Sequence, residues 1–124
     1  MCSSRMILAV AVAGVTATCP LLHGEKEERS AEGFEDYEKV KALLAAKCYS
    51  CHGALKQKAR LRLDTRDLML KGEVIVPGEA ADSLLIALVE DGSEERMPPP
   101  DEGAALKQDE IALLRRWIDG GAKA

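Results

Sequence analysis

Apolar residues recur at helical spacing in two stretches of this chain and form shorter, mixed patterns between them. Phe34, Tyr37, Val40 and Leu44 lie three or four residues apart, with Leu43 broadening the stripe, which predicts an amphipathic helix over 34–47. Ile111, Leu114, Trp117 and Ile118 make a second such face, closed by Gly120-Gly121. Leu106 and Ile111 are spaced as a hydrophobic staple around its start, and Glu110 stands in the third position of a capping box. Lys107 occupies the place where Ser or Thr would complete that box, so this helix start is expected to fray.

The middle reads differently. Leu61 and Leu63 alternate with Arg60 and Arg62, and Val74-Ile75-Val76 is a second β-prone run. The two are spaced to pair as a short antiparallel ribbon flanking a brief helix over 64–71, which Gly72 ends. Pro77-Gly78 marks a turn, and Asp82 or Ser83 caps a further helix running to about Val89. Residues 25–33 are charged without apolar period and read as a mobile tail.

Residues 1–24 read as a signal peptide and processing region. Arg5 precedes an apolar run over 6–15 that is too short to span a bilayer, and cleavage is expected near residue 17 or residue 24. Cys19 raises a lipoprotein alternative, although Thr18 and Thr16 match that signal poorly. The expected location is therefore periplasmic or otherwise exported, with a membrane involved only if Cys19 is lipidated or the leader is retained. About a hundred residues follow, enough for one domain, placed at 34–122. A domain this small, with only Phe34, Tyr37, Tyr49 and Trp117 as aromatics, has trouble burying enough apolar surface unaided.

Loss of the leader removes Arg5 and none of the 21 acidic residues, which takes the net charge from −4 to −5. That balance, with so few aromatics, excludes nucleic acid as a partner. The charge is uneven: Lys47, Lys56, Lys58, Arg60, Arg62 and Arg66 cluster in the middle with Asp64 as the only acid among them. Such a collar suits steering of an acidic redox partner or neutralisation of carboxylates, and equally an ordinary solvated face.

Within that collar lies Cys48-Tyr49-Ser50-Cys51-His52, a C-x-x-C-H run. Two thiols separated by two residues on one helical turn can each add to a vinyl group of one porphyrin, and the adjacent imidazole then lies under the ring, where it can bind iron. Two other chemistries use C-x-x-C. A thioredoxin-like redox pair needs a strand before it, whereas residues 34–47 read as helix. Structural zinc needs four ligands, and beyond the motif the chain offers only Cys2, Cys19 and His23. Covalent haem c is the reading the spacing favours.

A second iron ligand must come from elsewhere. His23 and His52 are the only histidines, so two-histidine ligation would recruit the N-terminal region. Of four methionines, Met1 and Met6 fall in the leader and Met69 sits in an apolar helical pattern typical of core. Met97 opens Met97-Pro98-Pro99-Pro100 between Glu94-Glu95-Arg96 and Asp101-Glu102. Three prolines make a stiff, extended loop, as holding a weak thioether ligand requires.

These motifs, with Leu61-Arg62-Leu63-Asp64-Thr65-Arg66, Val76-Pro77-Gly78, Ser83-Leu84-Leu85 and Trp117-Ile118-Asp119-Gly120-Gly121-Ala122, resemble the planctomycete-type cytochrome c domain, a class I-like cytochrome c. The resemblance implies an all-α fold around one covalent haem, with Cys48 and Cys51 as thioether anchors, His52 as proximal and Met97 as distal ligand. The linker Lys71-Gly72-Glu73-Val74 is shorter than the Gly-rich stretch usual in that family. The first and last helices are expected to cross with the haem between them and the loops.

The function expected is electron carriage, not catalysis: no nucleophile constellation, acid–base pair or phosphate loop is present. A haem subunit docked on a periplasmic dehydrogenase is the alternative, and a gas or peroxide sensor in which Met97 leaves the iron is a third.

Overall fold

The computed structural model describes residues 24–124, with residues 24–32 described by their backbone alone. The leader, Cys2, Cys19 and His23 lie outside the described residues. Five α-helices follow one another: α1 (Gly24–Lys47), α2 (Tyr49–His52), α3 (Arg66–Lys71), α4 (Leu84–Glu90) and α5 (Gln108–Asp119). Single 3₁₀ turns stand at Lys58–Arg60 and Ala80–Asp82. The fold is all-α, and no strand forms among the described residues. No described helix is long and apolar enough to cross a membrane.

α1 starts ten residues before the predicted helix, so residues 25–33 are its first turns and not a separate tail. Glu, Lys, Arg and Ala dominate that stretch, and all are good helix formers. Val40 and Leu44 bury the stripe read from the sequence, whereas Phe34 is exposed. Phe34 lies against the chain end at Lys123 and Ala124, clear of the core.

α5 buries Ile111, Leu114, Trp117 and Ile118, as its period predicts. It packs on α1, where Tyr37 stacks on Trp117 at 5.6 Å between centroids. Asp36 on α1 accepts two 2.8 Å hydrogen bonds from the Arg116 guanidinium, which holds its carboxyl below the usual range. At the start of α5, Glu110 Oε2 accepts the Lys107 N–H at 2.8 Å, and Leu106 and Ile111 are both buried. The Glu half of the capping box therefore forms without its Ser/Thr half, because an ammonium cannot accept a hydrogen bond. Gly121, at φ 99°, ends the helix in a Schellman arrangement: its N–H donates to Ile118 O and that of Ala122 to Trp117 O.

α3 ends in the same arrangement, but the left-handed position falls on Glu73 (φ 55°) and not on Gly72. The Glu73 N–H donates to Leu70 O and the Val74 N–H to Met69 O. Gly72 serves a different need, since a Cβ there would meet Leu61 Cδ1 at 2.7 Å. The short linker thus reverses direction at the cost of one strained non-glycine residue.

The expected ribbon between 61–63 and 74–76 is absent. The Leu63 N–H donates to His52 O, the Val74 N–H to Met69 O, and the Val76 N–H to Ser83 Oγ at 2.9 Å, while Val74 O accepts from Leu85. The groups a ladder would use are spent on α2, α3 and α4. Ser83 precedes α4, yet its buried hydroxyl caps nothing in that helix and instead donates to Glu79 O. Met69 is 1% exposed within the core, beside Leu63, Val74, Ile75 and Ile86.

Candidate haem-attachment site

The end of α1 delivers Cys48, whose N–H donates to Leu44 O, and α2 carries Cys51 and His52 on the next turn. Both cysteines are half-buried free thiols. They stand three residues apart, on one turn, where two bonds to one planar ligand are sterically possible. Burial pushes the Cys48 thiol up to about 11, the nearby Cys51 adding to the rise and Lys47 opposing it. A redox dithiol works by the opposite shift, a thiolate stabilised at a helix start. Among the described residues no group of three or more His, Cys, Asp or Glu converges to hold a metal ion.

His52 Nδ1 lies 3.0 Å from Lys58 O. A carbonyl only accepts, so Nδ1 carries the proton and Nε2 keeps its lone pair. The loop that brings Lys58 back is tightly wound: Gly53 N–H donates to Lys56 O, and Ala59 (φ 56°) and Arg60 (φ 58°) both adopt left-handed backbone. Gly53 is required at this turn, because a Cβ would stand 2.5 Å from Tyr49 O.

Cys48, Cys51, His52 and Met97 all line one cleft of about 220 Å³. Its walls are apolar: Ala59, Leu61, Leu63 and Val74, then Leu84, Leu85, Leu88 and Val89 of α4, and Pro98 and Pro99 next to Met97 in the chain. Lys47 and Glu102 stand on its lining as the charged groups. Met69 is not part of it. The cleft lies between α2, α4 and the loops; α5 backs the core behind it and lines none of it, which corrects the expectation of a site between the first and last helices.

Met97 reaches the cleft on a loop anchored at both ends. Its N–H donates to Leu88 O in the last turn of α4 at 3.0 Å, and Pro99 O accepts from Glu102 and Gly103. Lys58, whose carbonyl holds His52, pairs through its ammonium with Glu102 at 3.4 Å, linking the two loops. Other members of the basic collar are engaged locally. Arg62 binds Asp64 through both nitrogens, and Arg66 donates to Ala122 O. Lys47, Lys56 and Arg60 form no ion pair among the described residues.

The model of the family described as Planctomycete cytochrome C matches residues 48–101. That stretch is a planctomycete cytochrome c domain. It opens on Cys48 and includes His52, α4 and Met97, so the family match and the walls of the cleft coincide. No curated protein and no solved structure matches the chain. A cytochrome c domain implies covalent haem c and suggests an electron carrier, not an enzyme. The residues present fit that group: two thiols on one turn, an imidazole with one nitrogen committed, and apolar walls. Sequence reasoning missed the Lys58 carbonyl and the α4 wall. The first left no trace in side-chain identity, and the second showed only as the apolar run Leu84-Leu85-Ile86.

Proposed function

We propose that this chain is an exported monohaem c-type cytochrome that passes single electrons between redox partners, with iron held by His52 and Met97. The observation that supports this most strongly is the convergence of Cys48, Cys51, His52 and Met97 on one apolar cleft, although Met97 comes from a loop 45 residues beyond His52. Haem c, when bound, supplies a one-electron ferric/ferrous couple.

The chain's own residues do the rest. Cys48 and Cys51 would hold the ring covalently, each thiol adding across one vinyl group, at the turn that α2 forms. Lys58 O keeps the His52 imidazole in one tautomer and one plane. Met97 would supply the second ligand from its own loop, and Leu85, Leu88 and Val89 would exclude water. Ligands held this way change little between oxidation states, and no open position is left for chemistry. The signal read in residues 1–24 supports export, since attachment of haem c takes place outside the cytoplasmic membrane.

The full chain, matured with a c-type assembly system, is expected to hold one haem and titrate as a single one-electron Nernst curve. Its ferrous form should not bind carbon monoxide. Two waves, or rapid carbon monoxide binding by the wild type, would count against the carrier reading and favour the sensor.

The partner proposed is an acidic redox protein, received by Lys47 on the cleft lining and by Lys56 and Arg60 on the loop whose Ala59 lines it. Exposed charges are screened within about 8 Å at physiological ionic strength, so electron transfer should slow as salt rises. Lys56→Glu with Arg60→Glu should slow it similarly at low salt. A rate indifferent to both changes would return these residues to plain solvated surface.

A further inference from the structure

Pro98, Pro99 and Pro100 lack N–H groups, so the loop after Met97 cannot be ordered by its own first three backbone donors. Its carbonyls are met from outside that run. Arg96 Nη1 donates to Pro98 O at 2.6 Å and Arg96 Nη2 to Gly103 O at 3.3 Å. One guanidinium thus ties the beginning of the loop to its end. The closure is tight, since a Cβ on Gly103 would come within 3.3 Å of Pro98 Cβ.

The choice of partners is informative. Glu94, Glu95, Asp101 and Glu102 are all near in sequence, and a solvated arginine would be drawn to them. Among the described residues Arg96 forms no ion pair; its bonds go to two carbonyls, and Glu102 pairs with Lys58 instead. Arg96 is half-buried, as is Met97 beside it. With the Met97 N–H held by Leu88 O, the backbone of the methionine is pinned by α4 before it and by the Arg96 fork after it.

The geometry points to Arg96 as the positioning residue for the Met97 thioether, an inference that rests on Met97 being the second iron ligand. The role is geometric: Arg96 presents two nitrogens to two carbonyls at once. A lysine keeps the charge but offers a single point, so it cannot span both acceptors. A thioether is a weak ligand, and its hold on iron depends on the loop keeping it there.

The test uses the holoprotein of wild type, Arg96→Lys, Arg96→Gln, Met97→Ala and the control Glu94→Gln. Two signals are read: the far-red sulfur-to-iron charge-transfer band of the ferric form, and carbon monoxide binding to the ferrous form. Loss of hydrogen bonds from a charged donor should raise the carbon-monoxide-reactive fraction about tenfold or more in both Arg96 variants and weaken the band. Covalent haem should be unaffected, and Glu94→Gln should match wild type. Should Arg96→Gln fail to mature, Arg96→Lys carries the comparison.

The two readings fail separately. If Met97→Ala keeps the band, Met97 is not the ligand and the role of Arg96 falls with it. If Met97→Ala loses the band while Arg96→Lys and Arg96→Gln keep both wild-type signals, Met97 stands and the positioning role is overturned. Rescue by Arg96→Lys, or equal weakening by Glu94→Gln, would reduce Arg96 to a source of charge and overturn the fork.

Discussion

Met97→Ala should abolish the far-red charge-transfer band, lower the reduction potential and open the ferrous protein to carbon monoxide, all without loss of covalent haem. The band goes because it requires sulfur bound to ferric iron. The potential falls because water or hydroxide in place of a thioether favours the ferric state, and axial ligation spans about 0.8 V in haem proteins, so a sizeable fraction of that range is at stake. Attachment survives because Cys48 and Cys51 belong to a different element from Met97, α2 and the residue before it. Met69→Ala is the matching control. Met69 is 1% exposed in the core and absent from the cleft, so its loss should cost roughly 2–5 kcal/mol of stability and leave the band in place. Spectra and redox titrations of the two variants decide the matter. A band lost from Met69→Ala and kept in Met97→Ala would reverse the assignment.

The parts of the site legible in the sequence are those whose chemistry is local. Cys48, Cys51 and His52 occupy one turn, so their proximity follows from helix geometry, and the raised thiol of Cys48 is a consequence of the same helix end being buried. Met97 could be picked out because three prolines stiffen its loop. The α5 face was equally plain, since Ile111, Leu114, Trp117 and Ile118 obey one helical period.

What sequence could not show is where backbone groups go. The alternation of Arg60, Leu61, Arg62 and Leu63 does report extended chain, and Leu61 has φ −106° and ψ 136°. Period two says nothing about a partner, and here the hydrogen bonds run to His52, Met69 and Ser83 in place of a second strand. Glu73 shows the same limit: Gly72 was the natural residue for a left-handed turn, yet it is needed for its lack of a Cβ against Leu61. The Lys58 carbonyl that orients His52 is invisible to any motif, because every residue has one. Arg96 left a faint signal, an arginine two residues before a run of three prolines that cannot donate.

Cys48→Ala and Cys51→Ala should each leave a protein that holds haem by one thioether or not at all, and the double variant should lose covalent haem entirely. The reasoning is stoichiometric: the chain has two thiols in the cleft and each can make one bond to the ring. The loss also bears on the fold. Leu85, Leu88, Val89 and Met97 wall a cleft of about 220 Å³, and a domain of about a hundred residues has little apolar burial to spare. Removing the ring should therefore loosen α4 and the 96–103 loop more than the α1–α5 pair, whose Tyr37–Trp117 stack and Asp36–Arg116 bonds do not involve the cleft. The measurement is acid-acetone extraction of wild type and variants matured side by side, with hydrogen exchange on the colourless double variant. Wild-type colour should remain with the protein after extraction, and α4 should exchange faster than α1 and α5 in the double variant. Release of unmodified haem from the wild type, or covalent colour in the double variant, would remove the thioether reading of Cys48 and Cys51.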